Sequence, residues 1–234
     1  MEIKNIKKEF PIFKQKINGK PLVYLDSANS SQKPKVVIDK ISNFYETEFS
    51  NVGRSVHTLA VKATNRFEAV RDKVKQYINA KHREEIIFTK GATEGINLVA
   101  SSFGKKYINK GDEILVTELE HHSNYVPWHY LRSEKGAVIK FAQVNSDGDV
   151  EIDEIKKQIT NKTKIIAITH ISNVTGAILP ITKIVDVAKE RNIPVLIDGT
   201  QGAPHSHIDM QKIGCDFYAI SCHKMYGPNG LGIL

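Results

Sequence analysis

The chain has 234 residues, 41% of them hydrophobic and 25% charged, with 33 Lys and Arg against 26 Asp and Glu. That balance excludes a disordered chain and suits one large α/β domain or two small ones with a buried core. The surplus charge is scattered, as at Lys4, Lys7, Lys8, Lys105, Lys106, Lys156 and Lys157, and shows no sustained interleaving with aromatic residues of the kind an RNA-stacking module uses, so it reads as solvated helix faces with no nucleic-acid partner.

The only cysteines are Cys215 and Cys222, which excludes a disulfide framework and fits a reducing cytoplasm. The opening residues MEIKNIKKEF hold no apolar signal-peptide core, and no apolar run approaches membrane-spanning length. A cytoplasmic protein without membrane contact is expected.

In chain order, a short amphipathic helix carries Ile3, Ile6 and Phe10 and stops at Pro11, so residues 1–20 read as an N-terminal helical arm. A short strand is expected at 22–25, then a loop at 26–31. The periodicity of Val37, Ile41, Phe44 and Tyr45, and of Phe67, Val70, Val74 and Ile78, predicts helices near 34–49 and 58–79. From residue 85 short apolar runs (86–88, 114–116, 138–141, 165–168, 195–197 and 217–220) alternate with helical stretches near 92–107, 125–135, 151–159 and 181–191. This rhythm predicts an α/β fold, a mostly parallel sheet with helices on both faces, over residues 21–234. Residues 230–234 read as the start of a further strand, and the sequence is expected to be a fragment or the product of a shortened gene.

Ligands of such sheets sit at the carboxyl ends of the strands, so the residues that follow each run are the candidates. After 86–88 come Gly91, Ala92 and Thr93 at a helix start, which suits either a phosphate or an ordinary capped helix. After 114–116 come His121 and His122; a histidine here could stack on a flat ring, move protons or lie at the edge of the core. Asn173, after 165–168, could offer its amide to an oxygen or close a turn with Gly176. Asp198, directly after 195–197, could pair with a protonated ring nitrogen, a metal or an arginine, or cap the next turn. Lys224 lies after 217–220, beside small residues and a Gly-Pro turn. Desolvation there would make it nucleophilic, the alternative being a lysine that snorkels to solvent. Together these supply the handles of a pyridoxal 5′-phosphate (PLP) ring: a lysine, an anion, a phosphate cradle and a stacking group. His205 and His207 flank one serine and read as structural, a metal site being the alternative.

The stretches Tyr24-Leu-Asp-Ser-Ala28, Gly91-Ala-Thr-Glu-Gly-Ile-Asn-Leu-Val99, Glu120-His-His-Ser-Asn-Tyr-Val-Pro-Trp128, Ile168-Thr-His-Ile-Ser-Asn-Val174, Asp198-Gly-Thr-Gln201 and His223-Lys-Met-Tyr-Gly-Pro228 resemble the class V aminotransferase group of fold-type I PLP enzymes. Within it the sequence is most similar to the SUF-type cysteine desulfurases, which are akin to selenocysteine lyases. The resemblance implies a fold-type I large domain with a mostly parallel mixed sheet, lacking the family's C-terminal small domain. It implies PLP as cofactor, with Lys224 forming the Schiff base and moving protons, and Asp198 keeping the pyridine nitrogen protonated. His121 would stack on the ring, Asn173 and Gln201 would contact its phenolic oxygen, and Ala92, Thr93, Ser221 and His223 would hold the phosphate.

The implied reaction is L-cysteine to L-alanine, with sulfur passed to an enzyme cysteine and a SUF-type acceptor protein for iron–sulfur cluster assembly. The complete protein would be a homodimer. A selenocysteine lyase, a kynureninase-like hydrolase, or an inactive PLP-binding chain are the alternatives. The family's nucleophilic cysteine and substrate-carboxylate arginine lie beyond Leu234. The sequence also departs from the family pattern at Asn29, Gly53, Ser55, Ala92 and Thr200, and at Cys222, which stands where glycine is usual and would bring a Cβ toward the phosphate.

Overall fold

The computed structural model describes residues 3–234. Helix α1 (Ile3–Lys8) ends ahead of Pro11, and a 3₁₀ turn follows at Pro11–Lys14. The chain then makes a small hairpin, β1 (Lys16–Ile17) with β2 (Lys20–Pro21). Asn18 and Gly19 both take positive φ, 51° and 75°, as a two-residue Asn-Gly hairpin turn requires. The arm is therefore helix plus hairpin, and the boundary expected after residue 20 falls within β2. The strand expected at 22–25 does not form. The Leu22 N–H donates to the Gln15 carbonyl, but among the described residues no strand lies beside the segment to continue a ladder, and Val23 and Leu25 are exposed.

Helices α2 (Lys35–Thr47) and α3 (Thr58–Tyr77) occupy the two helical stretches expected next. Seven strands then build the main sheet in the order β3-β9-β8-β7-β6-β4-β5. They are β3 (Phe88–Thr89), β4 (Glu113–Thr117), β5 (Val138–Ala142), β6 (Thr163–Thr169), β7 (Val195–Asp198), β8 (Phe217–Ser221) and β9 (Gly232–Ile233). Strands β4 to β8 are mutually parallel, whereas β9 runs antiparallel between β3 and β8. The final strand is thus an inner one. Of the run 86–88, Phe88 pairs with β9 together with Thr89, and Ile87 continues the ladder by exchanging two backbone hydrogen bonds of 2.8 Å with Leu234; a 3₁₀ turn at Arg83–Glu85 precedes it.

The parallel strands are apolar at successive positions because both faces of the sheet are covered. In β6, Ile165 and Ala167 point into one core while Ile166 and Ile168 point into the other. The first of these cores is closed by α4 (Ala92–Val99, continued by a π turn and by α5, Lys105–Tyr107) and by α6 (Val126–Lys135), through Ile96, Val99, Trp128 and Leu131. The second is closed by α7 (Ile152–Gln158) and α8 (Ile181–Lys189), through Ile155, Ile184, Val185 and Ala188. Short helices α9 (Gly202–His205) and α10 (Met210–Ile213) link β7 to β8. Among the described residues no helix is long and apolar enough to cross a membrane.

Candidate active site

The carboxyl ends of β3, β4, β6, β7 and β8 open on one cleft, with an empty volume of about 440 Å³ including its mouth. Ala92, Thr93, His121, Asn173, Asp198, Gln201, Ser221, His223 and Lys224 all line it. The structure therefore brings together the nine residues to which the family resemblance gives a role, whereas Gly91, His122, His205 and His207 do not line the cleft. Ser123, Thr169, Ile171 and Thr200 line it too. Thr169 and Thr200 could have been found by the rule that exposed the others, since one closes β6 and the other follows Asp198. Ser123 and Ile171 carry no such signal.

Asp198 is the last residue of β7 and is 3% exposed. Its Oδ1 accepts the Thr200 N–H at 3.0 Å, while Oδ2 has no hydrogen-bond donor among the described residues. A buried carboxylate left half-satisfied in a cleft calls for a cationic or N–H partner. Lys224 sits in the 3₁₀ turn Cys222–Lys224 after β8, the strand paired with β7. Burial lowers its pKa, and Asp198 partly restores it.

His121 caps the 3₁₀ turn His122–Asn124. Its Nδ1 accepts the Ser123 N–H at 3.2 Å, so the neutral ring carries its proton on Nε2. Desolvation is the main cause of its lowered pKa, opposed by Asp198 and reinforced by Lys224 and His122.

At the other end of the cleft, α4 starts directly after Gly91, and the Ala92 N–H donates to Ser221 Oγ at 2.9 Å. This joins the helix start to the end of β8. The Gly232 Cα hydrogens face Gly91 so closely that a Cβ at 232 would lie 2.4 Å from the Gly91 Cα. Gln201 donates its Nε2–H to the Ala28 carbonyl at 2.7 Å, which ties the 26–31 loop to the cleft.

Glu120 was not singled out from the sequence. It is partly exposed as a residue, but its carboxyl group is enclosed. Oε1 accepts the Thr117 hydroxyl at 2.6 Å and the Thr169 N–H at 2.9 Å, and Oε2 accepts the Asn124 amide at 2.6 Å. It thereby ties the ends of β4 and β6 to the turn that carries His121. Desolvation, with Asp198 adding to it, pushes its pKa up to about 8 against those three hydrogen bonds.

Cys222 does not intrude on the α4 end of the cleft. Its side chain packs into the core, next to Gly227, and does not line the cleft. Cys215 is away from the cleft as well, and burial pushes its pKa up to about 12. His205 and His207 are exposed, and among the described residues no three potential metal ligands come together.

A half-buried lysine in the turn after β8 and a buried aspartate at the end of the adjacent parallel β7, with a helix start at one end and an imidazole at another, form a cleft at the carboxyl edge of a fold-type I sheet. A sequence profile of the Aminotransferase class-V family matches residues 23–234, and the chain belongs to that family. A probable cysteine desulfurase of Halalkalibacterium halodurans is 48% identical over the whole chain, which covers 58% of that protein. A cysteine desulfurase of Serratia proteamaculans is 47% identical over 99% of the chain, covering 57% of its own length. Among solved structures, a cysteine desulfurase from Thermococcus onnurineus superposes with a TM-score of 0.92 at 32% identity, covering all of this chain and 56% of that one. One from Escherichia coli gives 0.87 at 36%, covering all of this chain and 57% of that one. The chain thus spans somewhat over half the length of the relatives it matches.

Proposed function

We propose that this chain is the cofactor-binding portion of a PLP-dependent cysteine desulfurase, which releases L-alanine from L-cysteine and passes the sulfur on toward iron–sulfur cluster assembly. The observation that carries the reading is the pair formed by Lys224 and the half-satisfied Asp198 on one cleft. The donor set fits PLP. Asp198 Oδ2 would accept from the protonated pyridine nitrogen. The α4 start with Thr93, together with Ser221 and His223, would take the phosphate. Asn173 and Gln201 would flank the phenolic oxygen, His121 the ring face, and Lys224 the aldehyde carbon. When bound, the cofactor supplies an electron sink for charge developing at the substrate Cα.

The chain's own residues then have defined tasks. Lys224, its pKa lowered by burial, is neutral at neutral pH in a larger fraction than a surface lysine and so available as nucleophile or proton acceptor. Asp198 fixes charge at the far end of the cleft. His121, proton on Nε2, can donate into it. Neither Cys215 nor Cys222 lines the cleft, and burial raises both thiols, so we assign sulfur acceptance to neither.

The same reading gives residues 21–234 as the cofactor domain, a SUF-type acceptor as partner and a homodimer as the working assembly. Exposed Leu25, Val36, Tyr45 and Val56 support the last of these. The two free thiols support a reducing, cytoplasmic setting. The test is the visible spectrum of the chain mixed with PLP, with Lys224→Ala beside it. A visible band present in the wild type and lost in the variant is expected. A wild type that leaves the spectrum of free PLP unchanged would sink the reading.

A further inference from the structure

One backbone oxygen near the cleft receives far more donors than its position in a turn requires. The carbonyl of His223, the peptide oxygen immediately before Lys224, is approached by the Ser31 N–H at 3.0 Å, Ser31 Oγ at 3.0 Å, Ser30 Oγ at 3.4 Å and Lys33 Nζ at 2.8 Å. A carbonyl oxygen has two lone pairs, so these donors share it, and the charged one makes the strongest bond. Lys33 Nζ also donates to the Ser31 carbonyl at 2.7 Å, which folds the 30–33 segment around the same point. Beyond Lys224, the Tyr226 N–H donates to Ser31 Oγ at 2.8 Å. Tyr226 holds φ of +67°, a left-handed conformation that a tyrosine keeps only when its surroundings impose it. Lys224 is therefore gripped on both sides by one segment, about 190 residues earlier in the chain, that belongs to neither flanking strand.

We propose that Lys33, acting with Ser31, is a positioning residue for Lys224, fixing the turn that aims its amine into the cleft. The two residues act as a latch: Ser31 binds the backbone on either side of Lys224, and Lys33 locks Ser31 and the His223 carbonyl together. This rests on reading Lys224 as the lysine that carries the cofactor, but the latch itself is a property of the protein without cofactor. Among the described residues, the charged and titratable groups that act on Lys224 or feel its charge are Asp198 on β7, His121 on the turn before α6, and His223, which Lys33 faces from the latch.

The experiment is competitive labelling of amines with acetic anhydride across a pH series, read by mass spectrometry on the Lys224 peptide of the 234-residue chain. It needs no PLP, so a failure to bind cofactor and a failure of the latch are separate results. Wild type, Lys33→Met, Lys33→Arg and Ser31→Ala are compared, each matched for near-ultraviolet circular dichroism. A slackened turn lets water reach the amine, so in Lys33→Met the labelling midpoint of Lys224 is expected to rise by about one pH unit, a tenfold change in its reactive fraction. Ser31→Ala, which alters no charge, is expected to move it in the same direction, and Lys33→Arg to stay near wild type. Midpoints unchanged in both Lys33→Met and Ser31→Ala overturn the proposal. A shift in Lys33→Met alone reduces the effect to lost charge and also overturns it. Should Lys33→Met fail the folding match, amide exchange on the wild type decides. Ser31 and Tyr226 amides protected together support the latch, and a Ser31 amide that exchanges as fast as that of Asn29 overturns it.

Discussion

At the scale of single residues, two carboxylates have opposite surroundings, one lining the cleft and one enclosed behind it. Asp198 has one oxygen satisfied and one open to the cleft, whereas Glu120 has both oxygens engaged and sits in a shell that disfavours its charge. Removing the open acceptor with Asp198→Ala is expected to weaken PLP binding roughly 10- to 100-fold, the worth of a hydrogen bond to a charged group. Titration of the visible band against PLP concentration measures it, and an unchanged affinity would remove Asp198 from the cofactor site. Glu120 makes a prediction about pH. Its folded pKa of about 8 stands above the ordinary 4.5, so between those values the folded protein retains a proton that the unfolded chain has released. Stability contributed by this group is then full below about 4.5, declines as pH rises toward 8 and levels off beyond. Gln at this position cannot titrate. The unfolding free energy of Glu120→Gln, measured relative to wild type by denaturant titration, is expected to climb between pH 5 and 8. A flat difference across that window would mean that the carboxyl is ionised throughout.

At the scale of elements, the fold places its last strand where there is no room for a side chain. A Cβ on Gly232 would lie 2.4 Å from the Gly91 Cα and 2.6 Å from its carbonyl carbon, and backbone cannot turn aside as a flexible side chain can. Gly232→Ala is therefore expected to cost about 1–3 kcal/mol, the usual range for an overpacked site. It is also expected to disturb the start of α4, which Gly91 precedes. The midpoint of urea unfolding checks the first effect, and a midpoint equal to wild type would contradict it. The sequence announces most of this architecture, because strands buried on both faces are written as unbroken apolar runs, such as 165–168 and 195–197. It announces the chemistry at the strand ends for the same reason: a carboxylate or lysine straight after such a run has few structural explanations. The first 25 residues are less legible. Leu22 to Leu25 have the composition of a strand, but pairing depends on a neighbour that composition cannot supply. The hairpin is signalled in the sequence by the Asn18-Gly19 pair alone, without an alternating apolar pattern on either side of it. Glu120 and Lys33 escape notice in the sequence because their roles arise from contacts with segments far along the chain, at Thr169 and His223.

At the scale of the whole molecule, burial is uneven in a way that bears on assembly. The sheet and its flanking helices hold two dense cores, whereas α2 buries no side chain fully and α3 buries only Ala60 and Ala63. Large apolar groups remain open to water along the 23–56 region, with Leu25 at 92%, Val56 at 94%, Tyr45 at 66% and Phe49 at 58% exposure. Isolated exposed apolar residues are ordinary, but a run of them over one region marks a surface meant to be covered. A second copy of the chain meeting this region would cover it and would bring the 26–31 loop, already tied to the cleft through Gln201 and His223, under the control of the partner. Sedimentation equilibrium of the chain is expected to show association that strengthens with concentration. Leu25→Asp or Val56→Asp is expected to weaken it at least about tenfold, since each buries a charge at the contact. Both residues are exposed in the single chain, so the substitutions should leave its thermal unfolding close to wild type. A chain that sediments as a monomer at every concentration, or variants that associate as strongly as wild type, would show that this surface is not where copies meet. Loss of the PLP band together with association would go further and show that the cofactor cleft is completed only when the 23–56 region is covered.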